Sequence, residues 1–97
     1  MPKDNGKGQL KDGIYTRGAW TIDLTPIRKT KAFRDFKRLA ASGDEEALIE
    51  QFAGGLVKAW PLAGDPATVA AYDELDILEW DAVQDEVLAA IKTFRGR

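Results

Sequence analysis

The last third of the chain holds the pattern that most restricts its fold. Trp80, Val83, Val87, Ile91 and Phe94 recur at steps of three, four, four and three. That spacing draws one stripe along a helix of 3.6 residues per turn and has no use in a strand. Both ends are marked as well. Asp76 with Glu79 three residues on reads as a capping box at the start. Lys92 and Arg95 fall in the last turn, where cations complement the negative end of the dipole, and Gly96 follows as a stop. A helix patterned in this way must bury its stripe, so the rest of the chain has to supply an apolar surface.

Most other segments read as helices too. Thr25-Pro26 predicts a helix start, with Thr30 as a second cap, and the helix runs to about Ala41. Phe33, Phe36, Leu39 and Ala40 form its apolar side, and Arg28, Lys31, Arg34 and Arg38 line the opposite side as a basic face. Asp44 caps a second helix from Glu45 to Trp60, whose apolar residues Leu48, Ile49, Phe52, Ala53, Leu56, Val57 and Trp60 cover nearly two faces. Gly54-Gly55 interrupts it. Each glycine costs about 1 kcal/mol relative to alanine within a helix, so the pair predicts a bend or a close helix crossing. Asp65-Pro66 opens a third helix with Val69, Tyr72 and Leu75 turned inward. Only Ile14 to Thr25 alternates, with Trp20, Ile22 and Leu24 on one side, as a short extended segment does. The expected fold is mainly α: a small bundle of about four helices with a short extended N-terminal segment. Residues 1–13 are expected to be a flexible basic arm and 14–97 a single helical domain.

Charge is distributed unevenly. Residues 1–41 carry ten Lys/Arg against four Asp, whereas residues 42–97 carry four Lys/Arg against twelve Asp/Glu. Such a split suits a polyanionic partner for the front half, or attraction between halves within or between copies. The acidic stretch Asp73, Glu74, Asp76, Glu79, Asp81, Asp85 and Glu86 reads as a solvated face. Without histidine or cysteine the chain cannot build a Ser–His or Cys–His nucleophile, a disulfide, or a histidine- or thiolate-based zinc site. No cofactor, metal or enzymatic role is therefore expected. No apolar run spans a bilayer, and the polar N-terminus lacks the apolar stretch of a signal peptide, so a cytosolic setting is expected with no membrane partner.

The large amphipathic side chains are candidates for partner contact: Trp60 beside Pro61 and Tyr15 near the arm, with Tyr72, Leu56 and Phe52. The extended TIDLTPI, the element Leu56-Val57-Lys58-Ala59-Trp60, the pair Tyr72 and Leu75 and the terminal Val83, Val87 and Ile91 follow a familiar order. In that order the chain resembles the small tail assembly chaperones of long-tailed bacteriophages. The resemblance implies a non-enzymatic protein of the host cytoplasm that binds the helical tape measure protein and keeps it soluble during tail morphogenesis. Possible self-association fits a wide apolar face on the 45–60 helix. Two alternatives stay open: a structural or connector protein of the virion, and a nucleic-acid-binding regulator using the basic 28–38 helix.

Overall fold

The computed structural model describes residues 8–96. Four short strands, β1 (Gln9–Lys11), β2 (Ile14–Arg17), β3 (Trp20–Asp23) and β4 (Val57–Ala59), form one antiparallel sheet in the order β1-β2-β3-β4. Four helices accompany it among the described residues: α1 (Thr30–Ser42), α2 (Glu45–Gln51), α3 (Val69–Asp73) and α4 (Ile77–Arg95). The fold is thus α+β, which corrects the expected mainly-α bundle. Four helices are present, but a sheet supplies much of the surface against which α4 packs.

Two places account for the difference. Asp12 and Gly13 sit at φ 53° and 81° between β1 and β2. Both central residues of this two-residue loop have positive φ, the geometry of a type I′ hairpin, for which Asp-Gly is a preferred pair. Gln9–Lys11, expected within a flexible arm, consequently pair with β2; residues 1–7 of that arm lie outside the described residues. A second two-residue turn at Gly18-Ala19 returns the chain into β3, so the extended segment is a hairpin. Leu10, Tyr15 and Ile22 stand opposite one another across the strands and share the inner face with Arg17 and Trp20. Thr16 and Thr21 pair on the outer, solvent-facing side, in keeping with the alternation of the pleat.

The other place is the glycine pair. The helix expected to reach Trp60 ends at Gln51 and continues as a π-helical turn, Phe52–Leu56. Gly55 lies there at φ 149°, ψ −7°, backbone that L side chains rarely adopt, and the chain leaves as β4 alongside β3. A break is present, then, but no helix crosses closely: a Cβ on Gly54 would meet nothing within 4 Å, and one on Gly55 would meet Pro26 Cγ at 3.9 Å. The glycine answers to a backbone angle, not to a neighbour.

Helix starts are corrected in two cases and agree in two. Thr25–Ile27 is a 3-10 turn in which Asp23 Oδ1 accepts from the Thr25 N–H at 3.0 Å and from its hydroxyl at 2.7 Å; α1 begins only at Thr30. Asp65 accepts from the Ala67 N–H at 2.9 Å in a local turn, and α3 starts later, at Val69. Asp44 caps α2 by accepting from the Ala47 N–H at 3.1 Å. At α4 both bonds of the capping box form, Glu79 N–H to Asp76 at 2.9 Å and Asp76 N–H to Glu79 at 3.0 Å.

The core fills the space between the inner sheet face and α4. Ile22, Leu24, Leu56, Val57, Val83 and Val87 are fully enclosed. An aromatic cluster extends it under α1 to α3, where Phe52 has ring centroids 6.4 Å from Phe36, 6.5 Å from Tyr72 and 5.6 Å from Trp80. Among the described residues no helix is long and apolar enough to cross a membrane.

Candidate functional site

An open apolar groove runs between α1 and α4. The amphipathic pattern of α1 turns Phe33, Phe36 and Ala40 toward α4, whose Val87, Leu88 and Ile91 form the facing wall. Leu48 and Phe52 make the floor. Packing stops short here because Ala40 and Ala41 are too small to close the space, which leaves a cavity of about 490 Å³. Leu88, on the lip, is 53% exposed, although it belongs to the most regular helix of the chain.

The mouth of the groove is cationic. Phe33 lies beneath two charges, with Lys37 Nζ 5.6 Å and Arg95 Cζ 5.1 Å from its ring centroid, one from each wall. Such contacts hold long side chains over an aromatic face while their charged heads stay solvated. Lys31, Arg34 and Arg38 on α1 are all exposed, as is Arg28 just before it at the end of the 3-10 turn, so these basic residues are presented to solvent as foreseen from the sequence. They are diluted by Asp35, which accepts from Lys31 at 3.0 Å and pairs with Arg38 at 3.6 Å. The Lys31 hydrogen bond, then the Lys31 charge, holds the Asp35 carboxyl below the usual carboxylate range. A polyanion approaching α1 would meet this carboxylate in the middle of the stripe.

The five residues considered for partner contact lie elsewhere, and all are buried in the protein's own core: Phe52, Leu56, Trp60, Tyr72 and Tyr15. Of them, Phe52 alone reaches the groove, as part of its floor. Trp60 packs on Tyr72 with ring centroids 4.8 Å apart and donates from Nε1 to the Gly64 carbonyl at 3.0 Å. Tyr72 donates to the Pro66 carbonyl at 2.8 Å, and burial, then the Asp65 charge, raises its phenol above the ordinary value. Pro61 therefore marks the end of a packed strand and not an exposed hot spot.

One member of the acidic stretch is also misplaced by the sequence pattern. Glu86 is buried, on the α4 face between Val83 and Ala90, and points at the inner side of β2. Tyr15 donates its hydroxyl to Glu86 Oε2 at 2.9 Å, while Arg17 donates from Nε to the same oxygen at 2.7 Å and from its terminal nitrogen to Oε1. Tyr15 and Arg17 are two apart in a strand and so share a face, which lets both converge on one carboxylate. Burial alone would raise the Glu86 pKa; the Arg17 hydrogen bonds, the Tyr15 hydrogen bond and the Arg17 charge outweigh it and hold the carboxyl below its usual range. The cluster is closed on itself, and no buried side-chain polar atom among the described residues lacks a partner. It joins sheet to helix.

In comparisons with known proteins, the chain matches no family model, no curated protein and no solved structure. The groove was missed by sequence reading because it depends on what α1 fails to touch. Its trace in the sequence is the pair Ala40-Ala41 at the end of an otherwise bulky stripe, together with Leu88 off the main seam of α4.

Proposed function

We propose that this protein is a non-enzymatic docking module whose α1–α4 groove accepts the apolar face of a client helix flanked by acidic residues. The observation that carries the reading is the open groove with Lys37 and Arg95 over Phe33 at its mouth. At about 490 Å³ it lies within the size range of sites that enclose apolar ligand groups. Helix-in-groove recognition needs this combination, a greasy trough for anchors at i, i+3 or i+4 and i+7, with charge at the rim to set orientation.

The client proposed is the tape measure protein of a bacteriophage tail, kept soluble in the host cytoplasm during tail assembly. That assignment rests on the resemblance of the sequence to tail assembly chaperones. The residues carrying the resemblance, among them Leu56, Trp60 and Tyr72, are core residues, so the groove supplies the contact surface that the assignment requires.

Co-expression with a tape measure protein should yield a soluble complex, and Leu88→Asp should return the client to the insoluble fraction while the variant itself stays folded. A client equally insoluble with wild type and with the variant sinks the tape measure assignment. Failure of an acidic amphipathic helical peptide to bind the purified protein sinks the reading of the groove as a client site.

A further inference from the structure

A second apolar feature lies at the opposite end of α4. Ile77 and Leu78, its first two residues, are each 75% exposed. They are the most exposed large hydrophobic side chains among the described residues. Their helical partners do not use them, and a solvated helix start has no need of two adjacent branched apolar residues. Flanking them in the sequence are the exposed carboxylates Asp73, Glu74, Asp76 and Asp81.

We propose that Ile77 and Leu78 of one copy dock in the α1–α4 groove of a second copy. Charge decides the occupant. A groove facing its own copy across a two-fold axis would bring Lys37 and Arg95 against themselves, a like-charge contact that costs affinity. The Ile77–Leu78 knob brings carboxylates to that cationic rim instead, with apolar side chains for the trough beneath. Knob and groove do not compete within one molecule. Ile77 and Ile91 are fourteen residues apart, about 21 Å along the helix axis, so one copy can offer its knob while its groove is filled. A contact of this kind can close reciprocally across a two-fold axis, each knob in the other copy's groove, or propagate as a ring or an open chain. The inference rests on the groove being a docking site, as in the function proposed above; the knob resembles in chemistry the client helix and is displaced by it.

Size-exclusion chromatography with light scattering on the full chain tests this. Wild type should run above the 10.7 kDa of a single copy, and the excess should shrink as salt is raised. Ile77→Asp with Leu78→Asp removes the knob and leaves the groove; Lys37→Glu with Arg95→Glu reverses the rim and leaves the knob. All four side chains are exposed, so both variants should fold. Each alone should run at 10.7 kDa, and an equimolar mixture should give a heterodimer of twice that mass and nothing larger. One working knob and one working groove then remain in the mixture, whereas a groove-to-groove contact would leave the knob variant associating alone. Wild type that stays at 10.7 kDa at every concentration reached overturns the proposal. So does either variant that still associates alone, or a mixture that stays monomeric. The knob variant also separates the two ideas: a heterodimer without binding of acidic peptide to that variant refutes the client reading alone, whereas peptide binding without association refutes self-docking alone.

Discussion

Replacing Glu86 with glutamine tests how the sheet is tied to α4. In the wild type the carboxylate accepts from Tyr15 and twice from Arg17, and its side chain is 6% exposed against 36% for Arg17. Hydrogen bonds to a charged group contribute roughly 1.5–3 kcal/mol each when lost singly, and breaking a fully buried ion pair costs about 3–5 kcal/mol. Arg17 can turn toward water, and the glutamine keeps one acceptor, so the lower end applies. The expected loss for Glu86→Gln is about 2 kcal/mol, or a melting temperature lower by roughly 8–16 °C for a domain of this size. Urea denaturation of both proteins across pH supplies the second half of the test. The folded-state pKa of Glu86 is depressed, so its contribution is present above the unfolded-state value of about 4.3 and is lost as pH falls through the folded-state value. The gap between wild type and variant should therefore be full at pH 7 and narrow progressively as pH falls below the unfolded-state value. Combining Tyr15→Phe, Arg17→Met and Glu86→Leu, which removes donors and acceptor together, should recover most of the loss. A variant as stable as wild type at neutral pH, or a gap unchanged in acid, would refute the reasoning.

Three further outcomes follow from the geometry. Gly55→Ala forces a side chain onto φ 149° and should cost on the order of 1–3 kcal/mol, whereas Gly54→Ala meets open space and should be neutral or slightly stabilising by thermal melt. Equal effects at the two glycines would mean that the turn is not set by the Gly55 backbone. Asp76→Ala removes one half of the capping box and should lower stability by about 1 kcal/mol, read as a reduced urea midpoint at unchanged slope. Leu88→Asp alters a side chain that is already half in solvent, so stability should change by less than about 0.5 kcal/mol while affinity for an acidic amphipathic helix falls at least tenfold by calorimetry.

How much of this was legible in the sequence depends on how many residues carry each signal. α4 spans nineteen residues with a regular stripe and a capping box, and it forms as read from its pattern. β1 and β4 are three residues each, too short to show a period. Asp12-Gly13 does carry a turn signal, yet the polar residues before it read as an arm. Phe52 to Trp60 fits helical spacing and also a buried strand end, and only the φ of Gly55 decides between them. Counting large aromatics as surface candidates failed for a simple reason: a chain of 97 residues has few side chains able to fill a core, and Tyr15, Phe52, Trp60 and Tyr72 are needed there. Glu86 deceived in the opposite direction. A carboxylate amid a charge run looks solvated until a strand about 70 residues earlier in the chain brings Tyr15 and Arg17 to it. The basic residues of α1 were legible as exposed, whereas the groove beside them is a property of packing between segments far apart in sequence.

The central claim is that the α1–α4 groove is a docking surface for an apolar helix face with acidic flanks. Titrating an isotope-labelled Ile77→Asp, Leu78→Asp variant, whose groove is left free, with an acidic amphipathic helical peptide and following amide and methyl NMR shifts addresses it directly. The account predicts saturable shifts centred on Phe33, Phe36, Leu48, Leu88 and Ile91, weakened by salt, with the outer face of the sheet at Thr16 and Thr21 unmoved. Shifts absent at saturating peptide, or gathered on the sheet instead of the groove, would contradict it.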